Sequence, residues 1–74
     1  MKFVADGMLG KLARWLRMLG HDVVFSTQLD DAQLEAAAKN EGRVLLTRDL
    51  QLYQHARTKS ISAFYVEAKT KQRD

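Results

Sequence analysis

The chain has 74 residues, a formal net charge of +3 and no cysteine, and these properties exclude several classes of protein. This length suffices for one domain, and without cysteine the sequence can form neither a disulfide nor a thiolate zinc site. No apolar run approaches the roughly 20 residues of a membrane span, and Asp6 comes too early for a signal peptide. We therefore expect a cytoplasmic protein whose basic bias suits a polyanionic partner.

The first predicted elements are a short strand and an amphipathic helix. Residues 3–5 are apolar and end at Asp6 and Gly7, which predicts a strand followed by a turn. Residues 8–19 carry leucine and alanine at helical spacing, and Gly20 suits a left-handed helix end. The side chains expected to face the core are Leu9, Leu12, Ala13, Leu16 and Leu19, widened by Met8, Trp15 and Met18.

The pattern of strand, helix and glycine then continues to the fourth strand. Strands are predicted over residues 22–25, 44–46 and 61–66, and helices over residues 31–41 and 50–57. Asp30 and Gln33 have the spacing of a capping box, and Gly42 suits the end of that helix. Alternating strands and helices with short loops predict an α/β domain over residues 1–67 with a short, mainly parallel four-stranded sheet. Residues 68–74 are expected to form a polar tail.

Acidic residues follow three of the predicted strands. Asp6 follows the first strand, Asp30 and Asp31 follow the loop after the second, and Asp49 follows the third. The carboxyl ends of parallel strands share one edge, where the functional groups of such sheets collect. Two carboxylates about 5 Å apart repel by roughly 3 kcal/mol, so a cluster favours a bound cation, and oxygen ligands suit Mg²⁺ or Mn²⁺. The alternative is that each acid caps a helix start, and both roles can coexist.

Four basic residues lie close to these acids along the chain. Lys11, Arg14 and Arg17 are on the first helix and Arg48 precedes Asp49, so all four are candidates for contact with nucleic-acid phosphates. The alternative is a solvated helix face and, for Arg48, an ion pair with a neighbouring carboxylate.

The aromatic side chains of the same region give weaker signals. Trp15 could stack on a base, but its place on the apolar side predicts core packing. His21 and His55 have no spacing that suggests a metal site or a catalytic triad, and we assign them no role.

Two segments resemble a known family. The sequence DGMLGKLARWLR at residues 6–17 and GRVLLTRD at residues 42–49 look like the PIN-like ribonucleases called the Mut-seven C-terminal RNase domain. The resemblance covers residues 2–66. It implies a PIN-like three-layer α/β fold and a metal-dependent endoribonuclease that hydrolyses RNA with Mg²⁺ or Mn²⁺. In that case Asp6, Asp31 and Asp49 are catalytic, and Asp30 is a further candidate metal ligand.

The sequence also departs from this family. Members usually continue into a cysteine-rich zinc-binding module, so a chain without cysteine is expected to be a short form. The fourth acid common in PIN-like sites has no obvious candidate. Two other functions therefore stay open, namely a domain that binds RNA without cutting it and a domain that forms a homodimer through the sheet edge.

Overall fold

The computed structural model describes residues 1–67, and the predicted polar tail lies outside the described residues. Seven elements alternate along the chain: β1 (Lys2–Ala5), α1 (Gly10–Met18), β2 (Asp22–Phe25), α2 (Asp31–Glu41), β3 (Val44–Thr47), α3 (Leu50–Thr58) and β4 (Ala63–Tyr65). The predicted order of strands and helices is confirmed. The largest differences in bounds are that α1 begins two residues later than predicted and β4 is shorter.

The four strands form one sheet in the order β2-β1-β3-β4, and every pair is parallel. In the centre, Val4 is opposite Leu45 and Ala5 is opposite Leu46. Helix α1 lies on one face of the sheet and helices α2 and α3 lie on the other. The predicted three-layer α/β architecture is therefore confirmed, and the sheet is wholly parallel.

Alternation along the central strands divides the core into two halves. Val4 and Leu45 face α2 and α3, where both are fully buried with Leu34 and Leu52. The next residues along, Ala5 among them, face α1 because successive side chains of a strand point to opposite faces. The same alternation decides which face receives the polar residues at the strand ends.

The outward side of α1 differs from the prediction. Trp15 is 64% exposed, and Met8, Met18 and Leu19 are also exposed, so their expected place in the core is wrong. The buried side of this helix is centred on Ala13, and a residue two positions later points about 200° away from it. The helix is short and covers the sheet with one side only, which leaves Trp15 on the other.

Arg43 holds the opposite, amino-terminal edge of the sheet together. Its buried guanidinium donates to the carbonyl oxygens of Phe3 and Asp22 at 3.2 and 3.3 Å and pairs with the carboxylates of Asp22 and Glu41 at 2.9 and 2.6 Å. One side chain therefore joins β1, β2 and the end of α2.

Within residues 1–67, no helix has the length and apolar character needed to cross a membrane.

Candidate active site

A buried hydroxyl connects the ends of the two central strands. Thr47, the last residue of β3, is fully buried and donates its Oγ1 hydrogen to Oδ2 of Asp6 at 2.6 Å. The backbone N–H of Asp6 donates to the carbonyl oxygen of Leu46 at 3.1 Å. Since Asp6 follows Val4 by two residues and Thr47 follows Leu45 by two, both side chains face α2 and α3. The first predicted acid thus lies at the carboxyl edge, on the side where two helices begin.

Asp6 does not cap α1. The N-cap position is occupied by Leu9 and has no side-chain cap, so the expectation that Asp6 stands at a helix start is wrong. Its Oδ1 instead accepts a hydrogen bond from the backbone N–H of Met8 at 2.8 Å, which stabilises the turn before the helix. Each oxygen of Asp6 thereby accepts one hydrogen bond, and its orientation is fixed from both sides.

Asp49 is joined to the same hydroxyl. Its backbone N–H donates to Oγ1 of Thr47 at 3.0 Å. Its side chain is the N-cap of α3, where Oδ1 accepts from the backbone N–H groups of Gln51 and Leu52 at 2.9 and 3.3 Å. The helix-cap interpretation is therefore confirmed for Asp49, and its backbone is also linked to Asp6 through the hydroxyl of Thr47.

The two acids at the start of α2 have different roles. Asp30 completes the predicted capping box: Oδ1 accepts from the Gln33 backbone at 2.8 Å, and the Asp30 backbone donates to the Gln33 side chain at 2.9 Å. Asp31, the first residue of the helix, has another environment. Desolvation of its carboxylate, followed by the charges of Asp49 and Asp6, raises the pKa of Asp31 above its ordinary value. Asp31 is therefore the member of the pair that is coupled to the other two acids.

A glycine lets the loops that carry these acids approach each other. A Cβ atom on Gly7 would lie 2.9 Å from the Cα atom of Thr27, closer than a side chain permits without a backbone shift. Gly7 follows Asp6 directly, and Thr27 lies in the loop that leads to Asp30. The absence of a side chain at this position is a condition for the close packing of the two loops.

The acids fit a divalent metal in kind but are spaced more widely than one ion requires. All four predicted ligands are carboxylates, the donor type that Mg²⁺ and Mn²⁺ prefer. Within residues 1–67, however, no three side chains of the types Asp, Glu, His and Cys are close enough to hold one ion. The arrangement is therefore one of electrostatically coupled carboxylates rather than a ready-made coordination shell.

The predicted basic residues lie in three different settings. Lys11 and Arg48 line a groove of about 550 Å³ at the start of α1, which we call the Lys11–Arg48 groove. Its other lining residues include Met8, Leu12, Val66 and Glu67. Arg14 is exposed on α1. Arg17 also lies on α1, but its Nε and Nη2 donate to the carbonyl oxygen of Val23 at 3.2 and 2.9 Å, so this guanidinium is engaged in joining α1 to β2.

Sequence reasoning missed a second polar group, between α2 and α3. Glu35 is buried, its Oε2 lies 2.7 Å from Nδ1 of His55, and its Oε1 lies 3.5 Å from Nζ of Lys59. Burial alone would raise the pKa of Glu35, but the hydrogen bond and charge of His55, with Lys59, outweigh it and hold the pKa below its ordinary value. His55, to which we assigned no role, thus helps to join two helices. The only signal in the sequence was an acid beside the apolar positions of α2.

Comparison with known proteins identifies one family. The family model for the Mut7-C RNAse domain matches residues 1–74, which is the whole chain. No curated protein and no solved structure matches it.

Proposed function

The chain belongs to the Mut7-C RNAse domain family, and from this premise we propose that it is a metal-dependent endoribonuclease. The family assignment confirms the resemblance found in the sequence and gives the chain a nuclease-type function with RNA as the indicated substrate. Metal dependence and catalysis belong to the proposal. The observation that carries it is the link from Asp6 through Thr47 to Asp49, which brings acids from two strands to one edge of the sheet.

In this proposal Asp6, Asp31 and Asp49 would supply the carboxylates for Mg²⁺ or Mn²⁺, with Asp30 as an outer candidate because its carboxylate already caps α2. These acids, all of them among the described residues, are too widely spaced to hold one ion as they stand, so the proposal requires them to move closer when the ion binds. A bound ion would activate a water molecule and neutralise charge on the phosphodiester. The contribution of the chain is to place three negative groups at one edge of the sheet. The pKa of Asp31, which is raised first by desolvation and then by the charges of Asp49 and Asp6, supports this. A cation among these acids would relieve the repulsion.

The basic residues supply the other half of the proposed site. Lys11 and Arg48 line a groove that includes Met8, whose N–H holds Asp6. A phosphate bound by these two cations would therefore lie beside the turn that holds Asp6. Arg14 extends the basic surface along α1. Arg17 was predicted to bind RNA as well, and its bonds to Val23 assign it first to positioning α1.

The first experiment compares the thermal midpoint of wild type and Asp49→Asn, with and without Mn²⁺. Asparagine caps a helix nearly as well as aspartate, so the substitution removes charge and preserves the start of α3. At about 100 times the dissociation constant, Mn²⁺ should stabilise the wild type by roughly 2.7 kcal/mol, and Asp49→Asn should lose this response. The matched control is Asp30→Asn, which changes another capping aspartate and should keep most of it.

Cleavage is tested on the same proteins. Wild type should cut a single-stranded RNA in Mn²⁺ and stop in a chelator, and Asp49→Asn should be inactive in both. Cleavage that continues in the chelator, or that survives in Asp49→Asn, would contradict the proposal.

A second candidate function is RNA binding without cleavage. The specific observation in its favour is the wide spacing of the acids within residues 1–67. It predicts RNA binding that weakens with salt, is unchanged in Asp49→Asn and is indifferent to Mn²⁺.

A further inference from the structure

The outward side of α1 exposes an aromatic ring. Trp15 is the only tryptophan of the chain and is 64% exposed. Burying a large aromatic side chain stabilises a folded protein, yet the fold leaves this one in water. Met18, three residues later, is 78% exposed and lies on the same side of the helix. We call Lys11, Arg14, Trp15 and Met18 the α1 outer face.

The charged residues in the stretch of chain around Trp15 all have one sign. Residues 7–21 contain three cations, Lys11, Arg14 and Arg17, and no acidic residue. Lys11 precedes Trp15 by four positions and Arg14 precedes it by one, so Lys11 shares its side of the helix and Arg14 flanks it. Both cations are exposed and form no ion pair within residues 1–67. An exposed aromatic ring among cations is the composition of surfaces that bind single-stranded nucleic acid.

We propose that the α1 outer face binds single-stranded RNA, with an unpaired base stacked on Trp15 and the neighbouring phosphates on Lys11 and Arg14. This inference rests on the proposed function, since it names the form of RNA that the site receives. Lys11 belongs both to this face and to the Lys11–Arg48 groove, which connects the two surfaces. An RNA strand held on α1 could therefore continue through the groove to the turn in which Met8 holds Asp6.

Charge distinguishes this occupant from a second copy of the chain. A two-fold symmetric dimer uses the same patch on both subunits, so contact through α1 would bring Lys11 and Arg14 of one copy towards those of the other. Like charges facing each other oppose such contact, whereas phosphates complement them. Duplex RNA is also a poor occupant, because its bases are stacked on each other and offer no free face to Trp15.

The test is RNA binding in a chelator, which separates binding from cleavage. The probe is a labelled single-stranded RNA of about 12 nucleotides, within the usual site size, titrated with wild type, Trp15→Leu and Phe64→Leu. Phe64 is a matched control because it is an aromatic residue, 63% exposed, on β4. Trp15→Leu should bind on the order of 5- to 150-fold more weakly, and Phe64→Leu should match wild type. Tryptophan fluorescence of the wild type should be quenched as RNA binds.

A second measurement tests the cations. Replacing Lys11 and Arg14 together by Gln should reduce the slope of log affinity against log salt by about 1.4, at roughly 0.7 per phosphate contact of a single strand. Replacing Lys2 and Lys39 by Gln removes the same charge from other exposed positions and should leave the slope nearly unchanged. An equal loss in both double variants would overturn the assignment of these phosphate contacts.

Three further outcomes would overturn the inference. Wild type and Trp15→Leu could bind single-stranded RNA with equal affinity, or the substitution could weaken the binding of duplex RNA by the same factor. The third outcome is that sedimentation shows a dimer for wild type and a monomer for Trp15→Leu. Its failure is distinguishable from failure of the proposed function. If Trp15→Leu cleaves RNA in Mn²⁺ with an unchanged KM, the proposed nuclease function stands and the RNA-binding role of the α1 outer face fails. If RNA binding depends on Trp15 but the wild type never cuts RNA, the role of the α1 outer face stands and the proposed nuclease function fails.

Discussion

Thr47 and Asp6 are joined by a 2.6 Å hydrogen bond between residues 41 positions apart in the chain. The hydroxyl has one hydrogen, which it gives to Asp6, and it accepts the backbone N–H of Asp49. Both functions of this buried group are therefore used in the candidate site. Thr47 is a positioning residue that fixes where two acids stand relative to each other.

Thr47→Val tests that role, because valine has nearly the same shape and no hydroxyl. The change removes a donor from Asp6 and an acceptor from the Asp49 backbone, and it should lower the free energy of unfolding by about 1–3 kcal/mol. It should also weaken the stabilisation by Mn²⁺. The measurements are urea unfolding and the thermal midpoint with and without the ion. Thr47→Ser keeps the hydroxyl, so it should preserve the Mn²⁺ response; equal responses in the Val and Ser variants would contradict a positioning role.

Asp31→Asn should stabilise the metal-free protein at neutral pH. The pKa of Asp31 is raised in the folded protein by desolvation and by Asp49 and Asp6, so the ionised carboxylate destabilises the fold. This destabilisation is absent below the unfolded pKa and is complete once the pH has risen through the folded pKa. The gain on substitution should stay below about 1 kcal/mol, because the side chain is exposed. Thermal midpoints from neutral pH down to about pH 4 should show the gain of the variant shrinking as acid is added; a gain that grew in acid would reject the coupling.

Glu35 lies on the same helix as Asp31, and Glu35→Gln should change the stability with the opposite dependence on pH. The pKa of Glu35 is lowered in the folded protein, with His55 and Lys59 outweighing the effect of burial. Its stabilisation is therefore present above the unfolded pKa and is lost as the pH falls through the folded pKa. We expect the variant to be less stable by about 1–3 kcal/mol at neutral pH, with the deficit narrowing in acid.

The control for Glu35→Gln is Glu41→Gln. Glu41 also lies on α2 and forms an ion pair with Arg43, but its side chain is 51% exposed. Its loss should cost below about 1 kcal/mol. Comparable deficits in the two variants would show that burial of Glu35 has no special effect.

Gly7→Ala should disturb the candidate site, whereas Gly10→Ala should not. The new methyl group at Gly7 would lie 2.9 Å from the backbone of Thr27, and the forced shift should cost about 1–3 kcal/mol and weaken the Mn²⁺ response. At Gly10 the nearest atom is Cζ of Phe25 at 3.4 Å, an ordinary contact at the start of a helix. Thermal midpoints of both variants make the comparison, and a stable Gly7→Ala would show that the two loops can separate freely.

Local patterns predicted most of the secondary structure. The bounds of α2 were predicted correctly because its start is a capping box and its end is a glycine at φ = 65°; both signals lie within a few residues. The shared carboxyl edge was predicted from the parallel direction of the strands, and a helix cap was the alternative interpretation for Asp49. The same alternative was open for Asp6, but the structure uses this residue in a turn because α1 begins only at Gly10.

Features that depend on distant contacts could not be predicted. The hydrogen bond of Thr47 depends on Asp6, which is distant along the chain, and the contact of buried Glu35 with His55 depends on how α2 meets α3. Trp15 was expected to be buried because it was assigned to the apolar side of the helix, but whether a helix buries one side or more depends on how many elements surround it. The sequence contains the residues of each contact but not the distance between them.

Because successive side chains of a strand point to opposite faces of the sheet, the candidate site depends on the number of residues between the core positions and the acids. Asp6 lies two residues after Val4, and Thr47 lies two residues after Leu45, so the members of each pair face the same side of the sheet. Val4 and Leu45 are core residues on that side. An inserted residue between Val4 and Asp6 would turn the carboxylate to the α1 side of the sheet, away from the helices that carry Asp31 and Asp49. Such an insertion could leave the apolar core intact and still separate the acids. Strand length at this edge is therefore as strict a requirement as the identity of the acids.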